Sequence, residues 1–243
     1  QNYRAINFTD LRIVNPNFAV DPELEDEKGF TADLGLRGTM GEYLTYDFTM
    51  FYVGYKGRIG QILKADQPPL FLDYRLRTNV ADARNIGLES FVEFDLLKAI
   101  RPSGASSLSI YVNGALIDAK YINTEEASVK NNKVEMVPPL MLRTGLSFKK
   151  RAFNTSLQFS HIGEHFTDAT NAVRTATAVE GIIPAYQVMD FSTSYSWKIL
   201  TIEGSVNNLL DQKYFTRRAE AYPGPGIIPS DGRSFYLTLG IKL

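Results

Sequence analysis

Along most of this chain apolar and polar residues alternate with a period of two. A strand imposes that spacing, because successive side chains leave opposite faces of the pleat. The last stretch shows it most cleanly: Phe235, Leu237, Leu239, Ile241 and Leu243 share one face, and Tyr236, Thr238, Gly240 and Lys242 the other. The same pattern predicts a strand over about 29–39, with Phe30, Leu34 and Leu36 opposed to Asp33 and Arg37. A second, over about 43–56, sets Leu44, Tyr46, Phe48, Met50 and Tyr52 against Thr45, Asp47 and Thr49. A third, over about 84–97, sets Ile86, Leu88, Val92, Phe94 and Leu96 against Asn85, Glu89, Glu93 and Asp95. Further strands are predicted over about 107–119, 139–149, 152–165, 186–198 and 201–207, making nine with the last. The segment 70–79 is either a strand of its own or the upper part of the third. Residues 1–28 show no sustained period and hold Asn15-Pro16, Asp21-Pro22 and the acidic run Glu23 to Glu27, which predicts an ordered loop.

Two regularities narrow the fold class. The apolar face carries no Asp, Glu, Lys or Arg in the strand centres. A lipid-facing Lys or Arg at mid-bilayer costs ~2–4 kcal/mol, although a buried protein core imposes a similar rule. The connections decide between the two. Those near 40–43, 98–106, 150–151 and 199–200 are mostly short, whereas those near 57–72, 120–138, 166–185 and 211–233 are long and polar. Consecutive antiparallel strands therefore gather every long loop at one end, as in an outer-membrane barrel with short periplasmic turns. A Greek-key sandwich has no reason to sort its loops. The expected fold is all-β: an antiparallel up-and-down transmembrane β-barrel, with roughly nine to ten strands in this chain. An open sheet would leave unpaired edges in hydrocarbon. The other strands are expected ahead of Gln1-Asn2-Tyr3-Arg4, which has no signal-peptide character.

The totals remove several classes. A formal charge of −1 over 243 residues offers no basic excess for nucleic acid. With no cysteine, neither disulfides nor a thiolate site or nucleophile can form. No apolar run approaches the ~18 residues of a membrane-spanning helix. His161-Ile162-Gly163-Glu164-His165 matches the inverted zinc-protease pattern H-x-x-E-H, but that chemistry needs a helix. On a strand the imidazoles would stand roughly 13 Å apart, too far to share one ion. No catalytic residue, metal site or enzyme activity is assigned. The polar face, with Asp33, Arg37, Asp47, Glu89, Glu93, Asp95, Arg143, Lys149, Asp190 and Glu203, is expected to form cross-strand charge pairs along a lumen.

Particular motifs carry a resemblance. N-N-L-L-D-Q-K-Y-F (207–215), P-E-L-E-D-E-K-G-F-T-A-D-L-G-L-R-G (22–38) and N-I-G-L-E (85–89) resemble TonB-dependent outer-membrane receptors. H-I-G-E-H-F-T-D-A-T-N (161–171), I-P-A-Y-Q-V-M-D (183–190) and T-R-R-A-E-A-Y-P-G-P-G-I-I-P-S-D-G-R (216–233) look like their ferric-dicitrate branch. The resemblance implies a barrel of about 22 strands, with residues 29–243 as its C-terminal strands and 1–28 as an extracellular loop after an earlier strand. It also implies a plug and a TonB box, neither found here, and import of a ferric chelate driven through TonB–ExbB–ExbD. No cofactor is implied, and iron enters only as part of the chelate. Ferric citrate is an anion, so arginines of the long loops are the candidates: Arg174, Arg217, Arg218 and Arg233, with Tyr222 and Gln187 as neutral partners. A passive porin or other outer-membrane barrel protein, or a soluble β-sandwich adhesin, is the alternative.

Overall fold

The computed structural model describes residues 2–11, 18–69, 71–124, 126–175, 178–219 and 226–242. In chain order the elements are β1 (Asn2–Arg4), α1 (Phe8–Leu11), β2 (Phe18–Val20), β3 (Glu27–Met40), β4 (Leu44–Gln67) and β5 (Leu72–Asp95). Then come α2 (Leu96–Ile100), β6 (Ser106–Asn123), β7 (Leu140–Lys150), β8 (Phe153–Ile162), β9 (His165–Phe166) and β10 (Ile182–Ile183). The last are β11 (Tyr186–Trp197), β12 (Leu200–Asn207), β13 (Phe215–Ala219), β14 (Gly226–Pro229) and β15 (Ser234–Ile241). One sheet runs in the order β1-β3-β4-β5-β6-β7-β8-β11-β12-β15, with β2 added parallel to β5. Every other neighbour in it is antiparallel. Among the described residues the remaining strands form only the ribbons β9–β10 and β13–β14. A sandwich needs a second sheet packed on the first, so the adhesin alternative fails. Within this chain the sheet stays open and does not close into a barrel.

The register turns the period-two pattern into surfaces. Met40, Leu44, Phe94, Ile110, Leu146, Leu157, Phe191, Val206 and Phe235 lie directly opposite one another, one from each of nine strands. That row crosses the whole sheet without a charge. Around it Leu34, Met50, Leu237 and Leu239 are all more than 60% exposed, so this face is not a core. The accessible area agrees: 15437 Å², against the about 10,900 Å² of a compact soluble monomer of this size.

The long β4–β5 hairpin corrects the reading of 57–72 as a loop. Both strands run for 24 residues, β4 ending at Gln67 and β5 starting at Leu72. The alternation was hidden because the register slips between Tyr55 and Arg58 and again before Ile59. A bulge inserts a residue and exchanges the two faces, so the sequence period breaks although the strand does not. Gly57 sits there at φ +63, where a glycine meets no steric cost, and its N–H donates to Asp82 at 2.9 Å. Within the segment 70–79, the residues from Leu72 onward are accordingly the upper part of β5. Residues 1–28 also hold more than a loop, since β1 pairs with β3 and β2 with β5.

Asp95 is a second correction. It is buried at the N-terminus of α2, where it accepts from the backbone N–H of Leu97 and Lys98 at 3.0 and 2.9 Å and of Leu108 at 3.2 Å. It caps a helix and ties the β5–β6 turn, and lines no lumen. The expected charge pairs on the polar face are absent too: Arg37 and Asp47 stand opposite each other, yet among the described residues form no ion pair. Neutral contacts occur there instead, such as Tyr111 to Gln158 at 2.7 Å and Ser156 to Ser192 at 2.7 Å.

Candidate functional site

Ion pairs gather at the long-loop end. Glu27, the first residue of β3, takes Arg4 Nη1 at 3.1 Å and the Ile59 N–H at 2.7 Å on one carboxylate oxygen. Asp10 of α1 is 1% exposed and lies between two guanidinium groups, Arg4 at 3.0 Å to each oxygen and Arg77 of β5 at 2.5 Å. Burial alone would raise the Asp10 carboxyl. The Asn7 N–H, Arg77 and Arg4 outweigh it and hold that carboxyl below the usual carboxylate range. On β4, Arg58 Nε faces Glu135 at 3.9 Å, a charge contact too long for a hydrogen bond, and Glu135 accepts from the Tyr121 hydroxyl at 2.5 Å.

A small core backs this corner. Val129 and Val134, from the β6–β7 connection, pack with Ile62, Val80, Ala119 and Tyr121. Gly60 permits the close approach, since a Cβ there would lie 2.7 Å from Val80 Cγ2 and 3.4 Å from Glu135. The β8–β11 connection reaches over to the same corner, where Glu180 forms a buried pair with Arg75. Arg218 of β13 donates to the carbonyls of Ala178 and Ile182 at 2.7 and 2.8 Å and lies over the Phe215 ring. Burial lowers its pKa.

These side chains surround a cleft of about 970 Å³. Five basic side chains line it (Arg4, Arg58, Arg77, Arg217, Arg218) against four acidic ones (Glu27, Glu135, Asp168, Glu180), while Lys28 at its edge alternates to the apolar face of β3. The Nε atoms of Arg58, Arg77 and Arg218 are buried without a hydrogen-bond partner. An unsatisfied buried donor costs about 1–3 kcal/mol, and all three belong to arginines that line this cleft. Such a wall can hold an anion with several oxygens.

Of the residues singled out from sequence, the structure brings together Arg217 and Arg218 at this cleft. Arg174 is exposed at a bridge to Gly181 and does not line it. Arg233 is exposed before β15, its N–H donating to Asp211 at 3.0 Å. Tyr222 lies outside the described residues. Gln187 pairs in register with His161, which pairs with Leu142 on the apolar face, so it points away from the cleft. Sequence reasoning missed Arg4, Arg58 and Arg77. The alternation Arg75, Arg77, Asn79 was a usable signal, whereas the bulge concealed Arg58. The two histidines share no helix: His161 is in β8, and His165 is buried beyond Gly163, its Nδ1 2.9 Å from the Gly163 carbonyl.

The family profile described as "TonB dependent receptor-like, beta-barrel" matches residues 1–209. Among curated proteins none matches by sequence. Solved structures do match. The unliganded ferric citrate transporter FecA superposes with a TM-score of 0.70 at 23% identity, over 89% of this chain and 31% of its own. The copper transporter OprC gives a TM-score of 0.70 at 15% identity, over 98% and 35%. The ferric yersiniabactin uptake receptor FyuA from Yersinia pestis gives 0.66 at 20% identity, over 90% and 30%. The chain thus spans about a third of the length of these proteins. At such identities the likeness is one of fold, and an iron and a copper transporter fit equally well.

Proposed function

The chain belongs to the TonB-dependent receptor β-barrel family, and on that premise we propose that it forms the C-terminal wall of an outer-membrane importer of a ferric chelate. In this reading the charge-free row faces acyl chains and the polar face lines the lumen. Residues 1–28 form an extracellular segment and 29–243 barrel strands, in a barrel of about 22 that carries its plug elsewhere in the protein. Entry is driven by the proton-motive force through TonB–ExbB–ExbD.

Ferric dicitrate is the cargo this wall suits best. The observation that carries the reading is the net-basic lining of one cleft, where Arg58, Arg77, Arg217 and Arg218 gather at the long-loop end. The iron would arrive already coordinated. Carboxylate oxygens left at the rim of the chelate would accept from the guanidinium groups of Arg58, Arg77 and Arg218. Arg217 adds charge nearer solvent.

Equilibrium binding to the full-length receptor tests this. Ferric citrate should bind and resist displacement by neutral hydroxamate chelates and by copper ion. Preference for either competitor would sink the citrate assignment while leaving the barrel intact.

A further inference from the structure

Two arginines of the cleft lining already hold a carboxylate from this chain. Arg4 gives Nη1 to Glu27 at 3.1 Å and Nη2 to both oxygens of Asp10 at 3.0 Å. Arg77 gives Nη2 to the same Asp10 at 2.5 Å. Both arginines line the cleft, and Asp10 does not. A carboxylate binds arginine best across two neighbouring nitrogens, in a parallel fork. Any ligand carboxylate that claims the terminal pair of either guanidinium therefore meets Asp10 as a rival.

The rival rides on a lightly anchored segment. α1 is four residues long, too short to persist without outside contacts. Of its described side chains Asp10 is buried, whereas Phe8 and Leu11 are exposed. The same carboxylate closes the turn, accepting from the Asn7 N–H at 3.1 Å, and the Asp10 N–H donates to the Asn7 side chain at 3.0 Å. One group thus ties the turn and occupies the arginines. Neighbouring anchors do not depend on it. Asp26 accepts from the Tyr3 hydroxyl and, at 2.8 Å, from the Ile6 N–H. Glu27 keeps Arg4 and also takes the Ile59 N–H at 2.7 Å. Arg4 would therefore stay at the lining after Asp10 left.

Withdrawing Asp10 with nothing in its place would strand two half-buried cations, so the empty receptor keeps the segment down. A ligand bearing carboxylates removes that penalty by exchange. Resting on the anion reading above, we infer that Asp10 is an internal stand-in for the chelate: it holds Arg4 and Arg77 until a ligand carboxylate replaces it, and its departure frees residues 7–11. One anion leaves as another enters, and the charge around the two guanidinium groups is conserved. A chelate that presents no carboxylate oxygen cannot make the exchange, so Asp10 contributes selectivity as well as a brake on affinity.

The test follows amide hydrogen exchange in the full-length receptor with and without saturating ferric citrate, alongside the affinities of wild type and Asp10→Asn. Exchange at residues 7–11 should quicken about tenfold when ferric citrate binds, and Asp10→Asn should bind it about tenfold more tightly, because linkage makes the two effects reciprocal. A neutral hydroxamate chelate should leave exchange at 7–11 unchanged. Ferric citrate bound with 7–11 still protected would overturn the exchange; tighter binding by Asp10→Asn would then be a remote charge effect. Equal loosening by the neutral chelate would overturn it too. Should Asp10→Asn fail to fold, the wild-type exchange measurement decides alone. If ferric citrate binds neither protein, the cargo assignment falls first and takes this inference with it.

Discussion

Glu180 and Arg75 stand 105 residues apart in sequence and form one buried ion pair. The pair fastens the β8–β11 connection to the upper half of β5, and so sets one side of the cleft. Removing one partner of a buried pair leaves an uncompensated charge, at about 3–5 kcal/mol. We expect Glu180→Ala to strip hydrogen-exchange protection from residues around 167–183 while the apolar row keeps its own. Arg75→Met/Glu180→Leu should restore most of it; a double variant as labile as the single one would show that the pair does not hold the connection.

Arg218 is predicted to matter more than the other loop arginines. It uses two guanidinium nitrogens on the carbonyls of Ala178 and Ile182, which fixes it in the lining of the cleft. Lysine keeps the charge and loses the fork. Arg218→Lys in the full-length receptor should weaken ferric citrate binding by about tenfold. Arg174→Lys and Arg233→Lys, away from the lining, should stay within about twofold. Calorimetric titration of the three separates them.

Acid should open the α1 corner before it touches the sheet. The folded Asp10 carboxyl titrates below the ordinary aspartate value of 3.8, so the unfolded segment binds protons more readily. Its contribution is complete above that value and is lost as pH falls through the lower folded one. Protease sensitivity of residues around 5–11 should be unchanged between pH 7 and 5 and rise below about pH 3.8. Asp10→Asn should abolish that step; if the step persisted, another carboxylate would be responsible.

Two adjacent residues test the faces. Leu146 lies in the charge-free row between Ile110 and Leu157, and Ser147 on the opposite face between Ser109 and Ser156. Leu146→Arg should cost ~2–4 kcal/mol in folding into a bilayer, and Ser147→Arg much less. Equal costs would mean that lipid does not solvate the Leu146 side.

Regular strands were legible in the sequence wherever the two faces of the sheet imposed one rule on every second residue. The nine-strand order, the faces of Leu34, Met50 and Leu237, and the short turns all came from that rule. Legibility failed where a residue answered to something else. Lys56 to Ile59 broke the period through a bulge, and Asp95 looked like a wall residue but caps a helix. The site was legible only in residue type. Alternation cannot say that Asp10 meets Arg77, or that Glu180 meets Arg75, because both contacts depend on how loops fold across strands. Arg218 was identifiable as a loop cation, yet its bonds to two carbonyls were not.

The 24-residue hairpin of β4 and β5 has a consequence for how the protein meets its surroundings. At ~3.3 Å per residue and a ~40° slant, each arm reaches about 60 Å, whereas the hydrocarbon slab takes up only ~25 Å of that. In the proposed membrane orientation the remainder projects from the cell like a mast. A membrane-impermeant amine reagent applied to whole cells should therefore modify Lys64 while sparing Lys149 and Lys150, which sit below decks.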